Sequence, residues 1–156
     1  SGPADYQPVV GLVELKRSRA CSIFYRHLGD LLRVMGNVPA AIEHVKTSIT
    51  LAQEGGHEDI RHSSLASLLR CGFLEKWDQK LILGQICELE TYASTMGIPR
   101  LMAEALEIKA RVRRRAGDLT EARSLATKAL LIATQYDLRL RKAGVLVLLG
   151  HIHHEL

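Results

Sequence analysis

A spacing that recurs along the chain constrains its fold more than any single motif. When Gly36 is laid over Gly117, Ala41 falls on Ala122, Val45 on Ala126, Ser48 on Ala129 and Ala52 on Ala133, an offset of 81 residues. A middle copy fits about halfway, with Trp77 at the turn and Ile82, Ile86, Leu89 and Ala93 on the same stripe. Gly56, Gly97 and Asp137 share a further position, and Leu149-Gly150 restates Leu28-Gly29. A period of about 40 residues marks a chain of stacked units, none of which can bury its apolar face alone. The units fall at about 22–62, 63–102 and 103–142, followed by the first helix of a fourth over about 143–156. Residues 1–21 either extend the first helix or end a preceding unit.

Within each unit the apolar and small residues step by three and four, which is helical spacing. The expected helices cover about 8–35, Pro39–Glu54, Asp59–Phe73, Trp77–Met96, Pro99–Ala116, Leu119–Gln135 and Leu138 to the end. Asn37 or Val38 caps the second, with Pro39 near its first position. Asp118 and Glu121 make a capping-box pattern at the sixth. Residues 1–7 are polar and expected to fray.

Composition agrees with a helical core. Apolar residues make up 47% of 156, but aromatics only 4%, so Leu, Ala, Val and Ile must fill the interior. The net charge of +4 leans toward acidic partners without the density of a nucleic-acid arm. Three cysteines (Cys21, Cys71 and Cys87) form no CxxC pair, which suits a reducing, cytoplasmic setting. No window of about 18 uncharged apolar residues predicts a membrane span. Ser1-Gly2 resembles the scar of a protease cleavage, so the chain reads as a piece of a longer protein.

The stretch from Tyr25 to Ala52 carries a family resemblance. Tyr25, Leu28, Gly29, Leu32, Gly36, Ala41 and Val45 stand in the order and spacing of a tetratricopeptide (TPR) repeat. The period near 40 is similar to the extended repeats of Pins/LGN scaffolds, kinesin light chains and MalT-type regulators. The second unit departs from the pattern, with Leu69-Arg70 where Leu-Gly would stand, and the third has Lys109-Ala110. The resemblance implies an all-α, right-handed α-solenoid of antiparallel helix pairs, about seven helices in one domain. It also implies a concave face, lined by first helices, that binds a peptide or helix of a partner protein.

Carried over by position, the partner-binding residues are Arg26, His27, Asp30 and Arg33 in the first unit. They are Ser67, Leu68 and Cys71 in the second, and Glu107, Arg111, Arg114 and Arg115 in the third. The arginines would match acidic groups on a partner. The corresponding pair Arg26 and Asp30 disfavours a clamp for a terminal carboxylate, which Asp30 would repel.

Each notable residue also has a plainer reading. The run Lys109 to Arg115 is either an acidic-partner patch or a solvated helix face with an i,i+4 pair such as Glu107–Arg111, worth about 0.3–0.5 kcal/mol. No aromatic residue interleaves the run for base stacking, so nucleic acid fits poorly. His151 and His154 supply two metal ligands where zinc needs three or four. Cys71 reads as a small structural cysteine rather than a nucleophile, and Trp77 as packing under a degenerate turn. No phosphate loop, nucleophile elbow or metal spacing is present, so neither enzymatic activity nor a cofactor is expected. The alternative to a peptide-binding scaffold is a self-associating assembly or sensor module of a larger regulator.

Overall fold

The computed structural model describes the backbone of residues 3–156 and the side chains of residues 11–156. Ser1-Gly2 lie outside the described residues. The fold is all-helical, with seven helices and no strand among the described residues. They are α1 (Pro3–Val34), α2 (Val38–Glu54), α3 (Glu58–Leu74), α4 (Gln79–Met96), α5 (Pro99–Arg115), α6 (Leu119–Gln135) and α7 (Arg139–Glu155). The stretch expected to fray up to residue 7 is instead helical from Pro3, a residue whose fixed φ and missing N–H suit a first turn. None of the helices is long and apolar enough to cross a membrane among the described residues. The chain forms two compact units, Ser1–Cys71 and Gly72–Leu156.

In the first unit α2 folds back onto α1. Small residues set how close they come. A Cβ added to Gly29 would lie 2.4 Å from Val45 Cγ2 and 3.2 Å from the Ala41 carbonyl oxygen. Ala41, Val45, Ser48 and Ala52 are the buried stripe of α2. Ser48 would be an unsatisfied hydroxyl there, but its Oγ donates to the Ser22 carbonyl at 2.6 Å and sits 2.7 Å from Ser64 Oγ. In the second unit Leu106 and Ala110 of α5, Ala122, Leu125, Ala126 and Ala129 of α6, and Val145, Leu148 and Ile152 of α7 make one apolar cluster. Alanines on α6 let its axis approach α5 as Gly29 lets α1 approach α2.

The helix caps recur with the sequence period. Asn37 Oδ1 accepts from Ala40 N–H at 3.4 Å, Asp78 Oδ2 from Leu81 N–H at 3.4 Å, and Asp118 Oδ1 from Glu121 N–H at 3.2 Å. The turns before them close identically. The N–H groups of Asn37, Trp77 and Asp118 donate to the carbonyls of Leu32, Gly72 and Arg113 at 2.9, 2.9 and 3.0 Å. The preceding residues, Gly36, Lys76 and Gly117, have φ of +89°, +58° and +86°. Lys76 thus holds a left-handed conformation that glycine takes without strain.

This geometry corrects the register of the middle unit. In the first and third turns the capping residue follows the left-handed one directly. In the second, Trp77 is interposed before Asp78. The turn is longer by one residue, and α3 is shifted by one against the sequence alignment. Leu69, fully buried, occupies the place of Gly29 and Ala110, and Arg70 does not. Trp77 precedes α4 rather than opening it. Its ring lies against Gly72, where an added Cβ would meet Trp77 Cε3 at 2.2 Å.

Candidate basic cleft on α5

The last turn of α5 carries Arg113, Arg114 and Arg115, at the helix end where the macrodipole favours cations. Arg111 lies one turn back. Phe73, Arg111, Arg114, Arg115 and Glu155 line one cleft of about 420 Å³ within the second unit. Each arginine is held differently.

Arg111 is anchored from below. Its Nη2 donates to Glu107 Oε1 at 3.2 Å, and Arg141 Nη1 of α7 donates to Glu107 Oε2 at 2.8 Å. Glu107 is 1% exposed, so its carboxylate is a buried charge that needs these partners. Gly144 makes room for it, because an added Cβ would lie 2.8 Å from Glu107 Oε1. Glu107 is therefore a buttress under Arg111, and not the groove-facing contact expected from its position.

Arg114 directs both Nε (2.9 Å) and Nη2 at one oxygen, Glu155 Oε1. That fork holds the Glu155 carboxyl below the usual carboxylate range, and the nearby charges of His151 and His154 act in the same direction. Arg115 has no carboxylate partner among the described residues. Its Nη1 donates to the Phe73 carbonyl and its guanidinium carbon lies 3.4 Å from the Phe73 ring centroid. Partial burial with no counter-charge lowers its pKa from the ordinary arginine value.

Phe73 is the residue that sequence reasoning missed. The one-residue slip in α3 is the reason. Corrected for the slip, Arg70 stands at the position of Asp30 and Arg111, and Phe73 at that of Arg33 and Arg114. The α3 residues expected at the face lie elsewhere. Ser67 and Cys71 are buried and Leu68 is half-buried, so Ser67 and Cys71 offer no surface to a partner. The caps Asn37, Asp78 and Asp118 are spaced as the α2, α4 and α6 stripes are, so they carry no sign of the slip, which shows only in the left-handed residues Gly36, Lys76 and Gly117 before them.

In the first unit Arg26, Asp30 and Arg33 form a ladder along α1. Asp30 lies 3.8 Å from Arg26 Nη1 and 3.6 Å from Arg33 Nη2, and so offsets much of their charge. His27 Nε2 is 3.5 Å from Arg26 Nη2 and the residue is exposed. These four sit on one stretch of α1 and carry less uncompensated charge than the α5 cleft.

Two contacts at the middle of α1 were not expected. Arg19 grips Asp59 through Nη1–Oδ1 at 3.1 Å and Nη2–Oδ2 at 2.6 Å. Ser18 Oγ is 3.0 Å from His57 Nε2. The serine hydroxyl donates to the Leu15 carbonyl at 3.0 Å, so the imidazole N–H serves as the donor to Ser18. That is the reverse of what an activated nucleophile requires. The pair fastens α1 to the turn before α3.

Cys21 and Cys87 are exposed and Cys71 is buried, all as free thiols. His151 and His154 are exposed, and no group of three or more potential metal-ligating side chains comes together among the described residues. No protein-family model matches the chain, and no curated protein matches it.

Proposed function

We propose that the chain is a TPR-like right-handed helical solenoid that serves as a non-catalytic scaffold, binding an acidic peptide or helix of a partner protein. The α5 cleft carries this reading. It gathers three guanidiniums and one carboxylate on a surface, and Arg115 holds its charge without an acidic partner among the described residues. The repeat-like architecture is supported by the recurring caps at Asn37, Asp78 and Asp118 and by the close approach of Gly29 to Ala41 and Val45. A reducing cytoplasmic setting suits the three free thiols. Nucleic acid is a poor fit, because the face of Phe73 that could stack on a base is already covered by Arg115.

The test is affinity capture from cell extract with the wild-type chain, an Arg114→Glu/Arg115→Glu variant and an Arg123→Glu/Lys128→Glu control on exposed positions of α6. Arg111 is left intact because reversing it would set a second carboxylate beside Glu107. Partners lost only with the α5 variant support the reading, provided circular dichroism is unchanged. Partners retained by all three proteins remove it.

Self-association is the second reading. It is favoured by α7, where Leu140 is 85% exposed and nothing lies within 4 Å of a Cβ added to Gly150. A monomer mass by light scattering that does not change with concentration would eliminate it.

A further inference from the structure

We infer that the α5 cleft is a subsite for a dianionic phosphate monoester on the partner peptide, and that Glu155 is the carboxylate this group displaces. The inference rests on the reading of the cleft as the binding face.

Charge is the first argument. Three guanidiniums (Arg111, Arg114 and Arg115) and the carboxylate of Glu155 line the cleft, and the Glu107 carboxylate and Arg141 guanidinium join them behind Arg111, making a cluster of four cations and two anions. Glu107 is committed, because it is buried and shared by Arg111 and Arg141. Glu155 is at the surface, with its side chain 38% exposed, and can swing into water at little cost. Once it leaves, the cluster has four positive charges and one negative. A single carboxylate from a ligand would only restore the resting balance. A dianion adds one more negative charge and brings more acceptor oxygens.

Geometry is the second argument. Arg114 already points two N–H groups at a single oxygen, so its fork is set for an oxyanion before a ligand arrives. Arg115 is held over the Phe73 ring, and its remaining donors have no partner among the described residues. Glu155 marks where the first ligand oxygen would sit, and Arg115 where a further one would be received.

The experiment follows the arginine Nε–Hε resonances of the nitrogen-15-labelled chain at pH 7.5 and low salt, titrated with phenyl phosphate or with benzoate. Saturable shifts at Arg114 and Arg115, with phenyl phosphate at least tenfold tighter than benzoate, are expected. Glu155→Gln should tighten phenyl phosphate several-fold, and Arg115→Leu should weaken it at least tenfold with an unchanged circular dichroism spectrum. Equal affinity for the two anions overturns the inference, as does absence of saturation or a Glu155→Gln variant that binds no better than wild type. If capture of a partner depends on Arg114 and Arg115 but phenyl phosphate does not bind, the binding face stands and the phosphate assignment falls. If phenyl phosphate binds as expected but no partner depends on the arginines, the anion site stands and the scaffold reading falls.

Discussion

The carboxylate of Glu107 and the guanidinium of Arg141 meet at 2.8 Å, joining the middle of α5 to the first turn of α7. Arg111 takes the other carboxylate oxygen, and Gly144 leaves the space both need. Removing the carboxylate strands two arginines that are 31% and 28% exposed, enough to relax toward water. Glu107→Ala should therefore destabilise the protein by roughly 2–3 kcal/mol, below the loss for a fully buried pair. Gly144→Ala should destabilise wild type by about 1 kcal/mol, because its methyl displaces the carboxylate. In the Glu107→Ala background the same change should be neutral or stabilising, since alanine is the better helix former. Urea melts of the four proteins give the cycle.

Two glycines that share a place in the repeat should respond oppositely. Gly29→Ala drives a methyl into Val45, which is fully buried and cannot retreat. A loss of about 1–3 kcal/mol is expected. Gly150 sits in α7 with nothing near it, so Gly150→Ala should stabilise by up to about 1 kcal/mol. Thermal unfolding of both variants checks the contrast.

The single tryptophan reports on its own turn. Gly72→Ala must push the Trp77 ring away from α3, because no Cβ fits 2.2 Å from Cε3. The expected result is red-shifted emission with helix content kept. Emission unchanged from wild type would contradict the placement of the ring.

The Arg19–Asp59 pair should give a small acid-sensitive contribution. The hydrogen bond from Arg19 holds the Asp59 carboxyl below its usual range, and Asp59 in turn raises the pKa of Arg19. The folded value of Asp59 lies below the unfolded one. Its contribution is therefore complete above the ordinary aspartate range near pH 4 and is lost as pH falls through the lowered value. Both side chains are about half exposed, so the whole effect stays below about 1 kcal/mol. Asp59→Asn should be less stable than wild type at pH 7, and the gap should close toward pH 2 in denaturant melts.

Helix type and most boundaries were legible because glycine, proline and capping residues punctuate an alternation of three and four. The second and third pairs show where that legibility stops. Trp77 adds one residue to a turn, and period alone cannot tell whether it belongs to the helix before or after. A slip of one moves every α3 side chain by about 100°, which put Cys71 in the place of Arg70 and left Phe73 out. Glu107 failed for another reason. Its position matches that of Arg26, a half-buried residue, but the sequence does not show that Gly144 and Arg141 would open a berth for a carboxylate. The arginine run was readable as basic and the Glu107–Arg111 pair as one helical turn, while the restraints on Arg114 and Arg115 depend on neighbours 41 and 42 residues away.

The stacking of Arg115 on Phe73 bears on speed as well as strength. A free arginine side chain samples many rotamers, with an entropy worth roughly 2 kcal/mol. Arg115 is fixed by a ring and a carbonyl, and Arg114 by Glu155, before any anion arrives. On the phosphate proposal, an approaching anion would meet donors that are already oriented, and the one step between encounter and capture would be the departure of Glu155. The association rate should then follow steering to the cleft and fall as added salt screens it.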